Sequence, residues 1–235
     1  MKLSNVFINA LKLVQATFAT HFLGALILFV VVFTVYALLL TTLWGMPIEG
    51  IVELSKDPER LTTYVNQPNF VIKFWFFSLL VDGIITPFTA GVYRNYAEVI
   101  RGERPTLRNL FAYYRARETN HILGHVILQM CLKTFIFVVA LSIGTVSLGL
   151  ALSTIISLVF VLTIPIIVLE GKSLFKAMGH SYQRIMIAPF TALIITTLGW
   201  IALLVGFSAF VIGVTVTYSY LLAGIFSIYQ ATSNK

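Results

Sequence analysis

Charged residues are scarce in this 235-residue chain: Asp, Glu, Lys and Arg together make up 11%, against roughly 25% in an ordinary soluble domain. Apolar residues make up 58%. A soluble fold with so few charged side chains could not cover its own surface, so the composition excludes the soluble class and predicts an integral membrane protein. The basic residues stand between long apolar runs, where lipid headgroups explain them better than nucleic acid does.

Cysteine is also nearly absent. The single Cys131 excludes an internal disulfide and supplies too few thiol ligands for a structural metal site. Its position in an apolar run is typical of a small apolar filler. His121 and His125 have a spacing that can bind zinc, but no third ligand pattern follows them. His21 and His180 stand alone in the sequence and are expected at the membrane interface.

Sequence patterns of catalysis are missing as well. No Gly-x-Ser-x-Gly elbow occurs, and no phosphate-binding glycine loop precedes a Lys-Ser or Lys-Thr pair. Glu98, Glu103 and Glu118 are interleaved with arginines, so solvated ion pairs explain them more simply than acid–base catalysis. The sequence therefore predicts no enzyme active site, no metal and no cofactor.

Long apolar runs predict an all-α membrane bundle. A bilayer core about 30 Å thick needs about 20 helical residues, and this length criterion gives about six transmembrane helices, at 21–44, 70–93, 121–143, 148–169, 189–206 and 209–230. Residues 1–18 lack the pattern of a signal peptide and carry apolar positions at helical spacing, which predicts an interfacial amphipathic helix. We expect one integral membrane domain over 1–235.

The distribution of basic residues predicts the orientation. With the N terminus in the cytoplasm, that side receives twelve of the sixteen basic residues: Lys2, Lys12, Arg94, Arg101, Arg104, Arg108, Arg115, Arg117, Lys172, Lys176, Arg184 and Lys235. The opposite side receives Lys56, Arg60 and Lys73. Both termini are therefore expected in the cytoplasm, with an external loop at 45–69. In this loop, Asp57-Pro58 predicts the start of a short helix.

Two basic segments, 94–120 and 170–188, are expected to face the cytoplasmic leaflet. Each contains apolar side chains at helical spacing, which is typical of helices that lie along a membrane surface. The residues predicted to contact anionic headgroups or a partner protein are Arg94, Arg101, Arg104, Arg108, Arg115, Arg117, Lys172, Lys176 and Arg184. A topology signal without a specific ligand explains these residues equally well.

The first basic segment is expected to begin as a helix. The second span continues past the membrane to Arg101 and breaks at Gly102, and Pro105-Thr106 starts a new helix. In the second segment, Glu170-Gly171 is expected to end the fourth span.

One pair of opposite charges is predicted inside the membrane. Asp82 in the second span and Lys133 in the third each lie about twelve residues, or about 18 Å, from an end of their helix. An isolated charge at that depth costs at least about 2.5–3.5 kcal/mol. Consecutive antiparallel spans usually pack as neighbours, so a structural ion pair between Asp82 and Lys133 is favoured over a proton or ion relay.

Four segments resemble a known family: 90–94 (AGVYR), 101–106 (RGERPT), 109–111 (NLF) and 165–182 (PIIVLEGKSLFKAMGHSY). They are similar to motifs of YciC-like six-helix bacterial membrane proteins. This resemblance extends in layout over most of the chain and implies six spans and an envelope-associated role, with no agreed catalytic residues. Asp82 and Lys133 match no motif of the family.

These features predict a non-enzymatic multi-pass protein of the bacterial inner membrane. Its expected role is that of a scaffold or subunit that supports an envelope assembly or membrane homeostasis. Anionic lipid headgroups on the cytoplasmic side are the expected partner, together with a membrane protein or a second copy of the chain. The alternative is a small transporter or channel subunit that uses the Asp82–Lys133 pair.

Overall fold

The structure is a computed structural model that describes residues 3–45, 48–65, 68–208 and 210–233. It is 89% helical, and no strand occurs in the described ranges, so the predicted all-α class is confirmed. The predictions that involve Lys2 and Lys235 lie outside the described residues. So do parts of three predicted elements, the helix at 1–18, the loop at 45–69 and the span at 209–230.

The described chain folds into eleven α-helices and one short 3₁₀-helix. In chain order, the α-helices are α1 (Leu3–Trp44), α2 (Ile48–Ser55), α3 (Pro58–Val65), α4 (Pro68–Ile100), α5 (Leu107–Phe111), α6 (Thr119–Ser142), α7 (Val146–Val159), α8 (Thr163–Glu170), α9 (Leu174–Ile187), α10 (Pro189–Ser208) and α11 (Phe210–Ser233). The 3₁₀-helix follows α5 and covers Ala112–Tyr114.

Six helical stretches in the described part of the chain are long and apolar enough to cross a membrane. They are Leu3–Leu39, Ile72–Ile100, Thr119–Ser142, Val146–Glu170, Pro189–Gly206 and Ile212–Ser233. Their number equals the number of spans that the sequence predicts. This layout supports a multi-pass membrane protein.

The N-terminal region differs from the predicted layout. Separate helices are predicted at 1–18 and 21–44, whereas α1 runs without a break from Leu3 to Trp44. No Gly or Pro stands between residues 18 and 21 to interrupt the backbone. Thr17 donates a hydrogen bond back to the Leu13 carbonyl at 2.8 Å, which keeps its hydroxyl satisfied inside the helix. The chain therefore passes the predicted boundary as one helix.

The fourth candidate span is divided into two helices, whereas the sequence predicts one continuous helix. It consists of α7 and α8, with a turn between Val159 and Thr163. Pro165 lies in the first turn of α8, where a residue without an N–H loses no intrahelical hydrogen bond. Gly171 ends α8 with a left-handed φ of +63°, a conformation that glycine adopts without steric cost. This agrees with the predicted helix end at Glu170-Gly171.

The chain divides into two compact units. The unit formed by Ile27–Ile85 contains the pair of short helices α2 and α3. The carboxylate of Asp57 accepts a hydrogen bond from the Arg60 amide at 3.1 Å, which caps the start of α3 and agrees with the predicted helix start at Asp57-Pro58. Two edge-to-face ring contacts lie in the same unit, Tyr36–Phe77 and Tyr64–Phe70.

The other unit, formed by Met1–Leu26 and Thr86–Lys235, is built around α11. Within an 18-residue apolar window of this helix 61% of the residues are buried, the largest share among the corresponding windows of the six stretches. Helices α10 and α11 pack closely because small residues face the partner helix: a Cβ at Gly206 would lie 2.8 Å from the Gly213 carbonyl oxygen, and one at Gly224 2.7 Å from Ile195. Such close approach stabilises helix pairs in lipid.

Aromatic side chains join α4 to α11 in this unit. Tyr93 and Tyr96 of α4 both contact the Phe226 ring. The Tyr96 hydroxyl donates a hydrogen bond to the Ser219 carbonyl at 2.7 Å. These contacts fix the end of α4 from which the first basic segment continues.

Candidate functional site

Two clusters of polar side chains lie where the basic segments join the helices of the larger unit, the first mostly buried and the second half-buried. The first, the amide cluster, consists of His21, Asn95, Glu98, Thr106 and Asn109. The second, the carboxylate cluster, consists of Glu170, Lys172, His180, Arg184 and Tyr229. Together the two clusters engage several of the basic side chains of these segments.

Asn95 is the centre of the amide cluster and is fully buried. Its side-chain oxygen accepts hydrogen bonds from the Thr106 amide at 3.1 Å and from the Asn109 side chain at 3.0 Å. Its side-chain nitrogen donates to the Thr106 carbonyl at 3.2 Å. The Asn95 side chain thus supplies the hydrogen-bond partners that the backbone of Thr106, just before α5, would otherwise lack.

Glu98 is 8% exposed, although the sequence predicts solvated ion pairs for the acidic residues of this segment. That prediction is wrong for Glu98. The Asn109 side chain donates a short hydrogen bond to one carboxylate oxygen, and Arg94 Nε lies 3.4 Å from the other. A buried carboxylate needs such partners because desolvation penalises its charged form.

Tyr113 borders the same side chains. Burial raises the pKa of its hydroxyl, and the Arg94 guanidinium partly opposes that increase. In the adjacent Tyr114, burial raises the pKa to about 12. Both phenols therefore stay protonated at physiological pH and act as neutral hydrogen-bonding groups.

Helix α5 reaches the amide cluster because two glycines leave room for it. A Cβ at Gly91 would lie 2.5 Å from the carbonyl oxygen of Asn109 and from Leu110 Cα. A Cβ at Gly24 would collide with the Leu110 side chain, which is fully buried. Thr106 caps α5 by accepting a hydrogen bond from the Asn109 amide at 3.3 Å. The predicted restart of the helix at Pro105-Thr106 agrees with this cap.

His21 of α1 completes the amide cluster. The sequence predicts that this residue stands alone, and that prediction is wrong: His21 is 2% exposed and lies against Asn95 and Tyr96. Its location at the membrane interface stays a prediction. Its Nε2 is 3.5 Å from the Asn95 side-chain nitrogen. Its ring meets the Tyr96 ring edge-on at 5.2 Å. The cluster therefore joins α1, α4 and α5.

The carboxylate cluster forms where α8 ends and α9 begins. Glu170 pairs with Lys172 at 3.1 Å and with Arg184 at 2.5 Å. Lys172 Nζ also lies 3.0 Å from His180 Nε2. The sequence predicts an isolated His180, and that prediction is wrong. The Arg184 guanidinium stacks 5.2 Å from the centre of the Tyr229 ring, a cation–π contact with α11.

Ser181 ties α9 to the turn before α8. Its hydroxyl donates to the Val159 carbonyl at 2.7 Å and accepts from the Leu162 amide at 3.2 Å. Both of these backbone groups lie where α7 ends, and an end of a helix leaves groups without intrahelical partners. The buried Ser181 hydroxyl therefore stabilises the position of α9 against the fourth candidate span.

The nine predicted contact residues fall into two groups. Four of them are in ion pairs: Arg94 with Glu98, Arg101 with Glu103, and Lys172 and Arg184 with Glu170. The other five are exposed and make no ion pair within the described part of the chain: Arg104, Arg108, Arg115, Arg117 and Lys176. We call these five residues the open basic set.

Helix α9 also exposes large apolar side chains. Phe175 is 76% exposed, Tyr182 51% and Met186 48%, and their spacing places them on one face of the helix. Ala177, Met178, Ser181 and Ile185 form the opposite, buried face. Lys176 stands next to the exposed aromatic residues, an arrangement typical of a helix at a membrane surface.

Asp82 and Lys133 lie in different units. Asp82 is an exposed residue of α4 in the unit Ile27–Ile85, and Lys133 is a half-buried residue of α6 in the larger unit. Their ion pair stays a prediction from the sequence. Among the described residues, no group of three or more His, Cys, Asp or Glu side chains is arranged to hold a metal ion.

No protein-family model, curated protein or solved structure matches the chain. The resemblance to YciC-like proteins therefore stays a prediction. Two of the residues that sequence reasoning missed had a visible signal: Asn95 and Glu98 are polar positions three residues apart, on one face of α4. Their partners Asn109 and His21 are 14 and 74 residues away from Asn95, and no local pattern indicates those contacts.

Proposed function

We propose that this chain is a non-enzymatic multi-pass protein of a bacterial inner membrane, with both termini in the cytoplasm. Its role is to support an envelope assembly or membrane homeostasis as a scaffold or subunit. The observation that carries this proposal is the open basic set. It lies on segments that the amide cluster and the carboxylate cluster hold in place.

Only part of the positive charge on these segments is balanced within the protein. Glu98 and Glu170 are partly neutralised by Arg94, Lys172 and Arg184, so those cations are engaged within the protein. The open basic set has no such partners within the described residues. Near an anionic membrane surface each Lys or Arg contributes about 1 kcal/mol of attraction. Five such residues suit a surface of lipid headgroups.

The exposed face of α9 supports the same conclusion. Phe175, Tyr182 and Met186 are large apolar side chains that a protein surface in water would bury. Beside Lys176 they suit the boundary between headgroups and acyl chains, where amphipathic helices lie. The excess of basic residues in 94–120 and 170–188 supports a cytoplasmic location of both segments.

Lipid binding tests the proposal. The purified protein in neutral detergent is titrated with phosphatidylglycerol. Thermal melting measures its stability, and native mass spectrometry measures the number of bound lipids. The variant Arg104→Gln/Arg108→Gln is compared with Lys56→Gln/Arg60→Gln, which removes the same number of charges from the predicted external loop. We expect the first variant to lose about tenfold or more in apparent affinity, because two contacts of about 1 kcal/mol each are removed. The second variant should bind as the wild type does. Equal binding by all three proteins would contradict a role of the open basic set in headgroup contact.

The scaffold role has a separate test. The chain is purified from native membranes in mild detergent, and the proteins that accompany it are identified by mass spectrometry and by size. We expect a stoichiometric membrane-protein partner or a second copy of the chain. A monomer with no accompanying protein, which also transports a solute in liposomes, would favour the alternative role of a small transporter.

A further inference from the structure

Helix α6 carries a row of polar side chains that the proposed function does not use. His121, His125, Gln129 and Lys133 follow one another at intervals of four residues, so neighbouring members lie on adjoining turns of one face. All four are half-buried. The row starts near the first residue of α6, Thr119, and reaches Lys133 about 21 Å along the helix axis. We call these four residues the polar row.

Two atoms of the polar row are buried without a protein partner. His125 Nδ1 and Gln129 Oε1 are inaccessible and make no hydrogen bond within the described residues. The hydroxyl of Thr163 in α8 is likewise buried without a hydrogen bond within the described residues, and α6 packs against α8. In hydrocarbon, a polar group without a hydrogen bond costs several kcal/mol. Three such groups on two packed helices therefore require polar partners.

The opposite face of α6 has the reverse character. Ile127, Cys131 and Phe135 also recur at intervals of four residues, and all three are exposed. Beyond Lys133, residues 135–141 are apolar without interruption. A membrane-spanning α6 would thus present an apolar row to lipid and the polar row to the protein interior. At the four-residue spacing of the polar row, polarity extends from the Thr119 end to Lys133, and the next position, Phe137, is apolar.

We infer that the polar row lines a hydrated crevice, closed at its inner end near Lys133, that admits water and small hydrophilic solutes from the Thr119 end of α6. Water satisfies buried polar atoms that have no protein partner, typically with about three hydrogen bonds per molecule. The four side chains offer donors and acceptors along the whole length of such a path.

Cysteine labelling tests the crevice in membrane vesicles opened to both sides, so the result does not depend on the proposed orientation. The reagent is a charged methanethiosulfonate, which reacts with hydrated thiolates and enters hydrocarbon poorly. The variants His125→Cys and Gln129→Cys, each in a Cys131→Ser background, are compared with Ile127→Cys in that background. The wild-type chain adds a control without any engineered cysteine, because Cys131 lies in the apolar row.

We expect both polar-row cysteines to react at least about tenfold faster than Ile127→Cys and wild-type Cys131, because only a hydrated thiol ionises. Adding His121→Leu should slow the reaction at Gln129→Cys, since His121 lies on the route from the Thr119 end. Equally slow labelling of all positions would overturn the inference, because another protein surface would then satisfy the row. Equally fast labelling would overturn it as well, and would also contradict a membrane-spanning α6.

Discussion

At the scale of single residues, Asn109 serves two buried hydrogen-bond acceptors at once. One side-chain nitrogen donates to both Asn95 and Glu98, and all three residues are at most 8% exposed. A buried acceptor that loses its donor costs about 1–3 kcal/mol. The amide cluster is therefore sensitive to the loss of this one side chain, more than to the loss of an exposed charge.

We expect Asn109→Ala to lower the free energy of unfolding by about 1–3 kcal/mol, because the carboxylate of Glu98 and the amide oxygen of Asn95 lose a donor. Thermal melting in detergent measures the effect. Asn120→Ala is the matched control, since Asn120 is an exposed residue at the start of α6. If the two variants have the same melting temperature, the amide cluster does not stabilise the fold.

The predicted pair of Asp82 and Lys133 has its own test. Asp82→Asn and Lys133→Met should each destabilise the protein more than the double variant does, because a single change leaves one unpaired charge in the bilayer. Melting temperatures of the two single variants and the double variant in detergent form the thermodynamic cycle. Effects that simply add would argue against the pair.

At the scale of helices, the packing of α5 on α4 depends on Gly91. A side chain at this position would lie 2.5 Å from backbone atoms of Asn109 and Leu110, and backbone cannot move aside as a flexible side chain can. The first basic segment would then shift as a whole. Four of the five residues of the open basic set lie in this segment and would shift with it.

Gly91→Ala should therefore destabilise the protein by about 1–3 kcal/mol through overpacking. Gly179→Ala is its control, because no atom lies within 4 Å of a Cβ at that position of α9. In a helix with free space, alanine stabilises by about 0.5–1 kcal/mol relative to glycine. Opposite shifts of the melting temperature are expected, and a gain in stability for Gly91→Ala would contradict the close contact of α4 and α5.

The helices themselves were largely predictable, whereas the clusters were not. Charge-free runs of about 20 residues indicate candidate spans by length alone, and Gly102 and Gly171 indicate helix ends by their lack of a Cβ. The contact of His21 with Asn95 joins residues 74 positions apart, and only the packed fold brings them together. Glu98 looked solvated because its neighbours in sequence are arginines, yet its main partner is Asn109.

At the scale of the whole molecule, the central prediction is how the connecting segments are distributed between the two sides of the membrane. Six stretches are long and apolar enough to span it, and the basic segments 94–120 and 170–188 then alternate with the segment at 45–69. An even number of spans returns the chain to the side on which it began. The charge asymmetry predicts that the basic segments face the cytoplasm.

Cysteine labelling of spheroplasts tests this arrangement most directly. Glu53→Cys, Arg108→Cys and Lys176→Cys, each in a Cys131→Ser background, are treated with a membrane-impermeant maleimide before and after permeabilisation. All three positions are exposed in the structure, so each thiol is reachable from its own side. The account predicts that Glu53→Cys labels in intact spheroplasts, and that the other two label only after permeabilisation. Labelling of Arg108→Cys or Lys176→Cys in intact spheroplasts would contradict it.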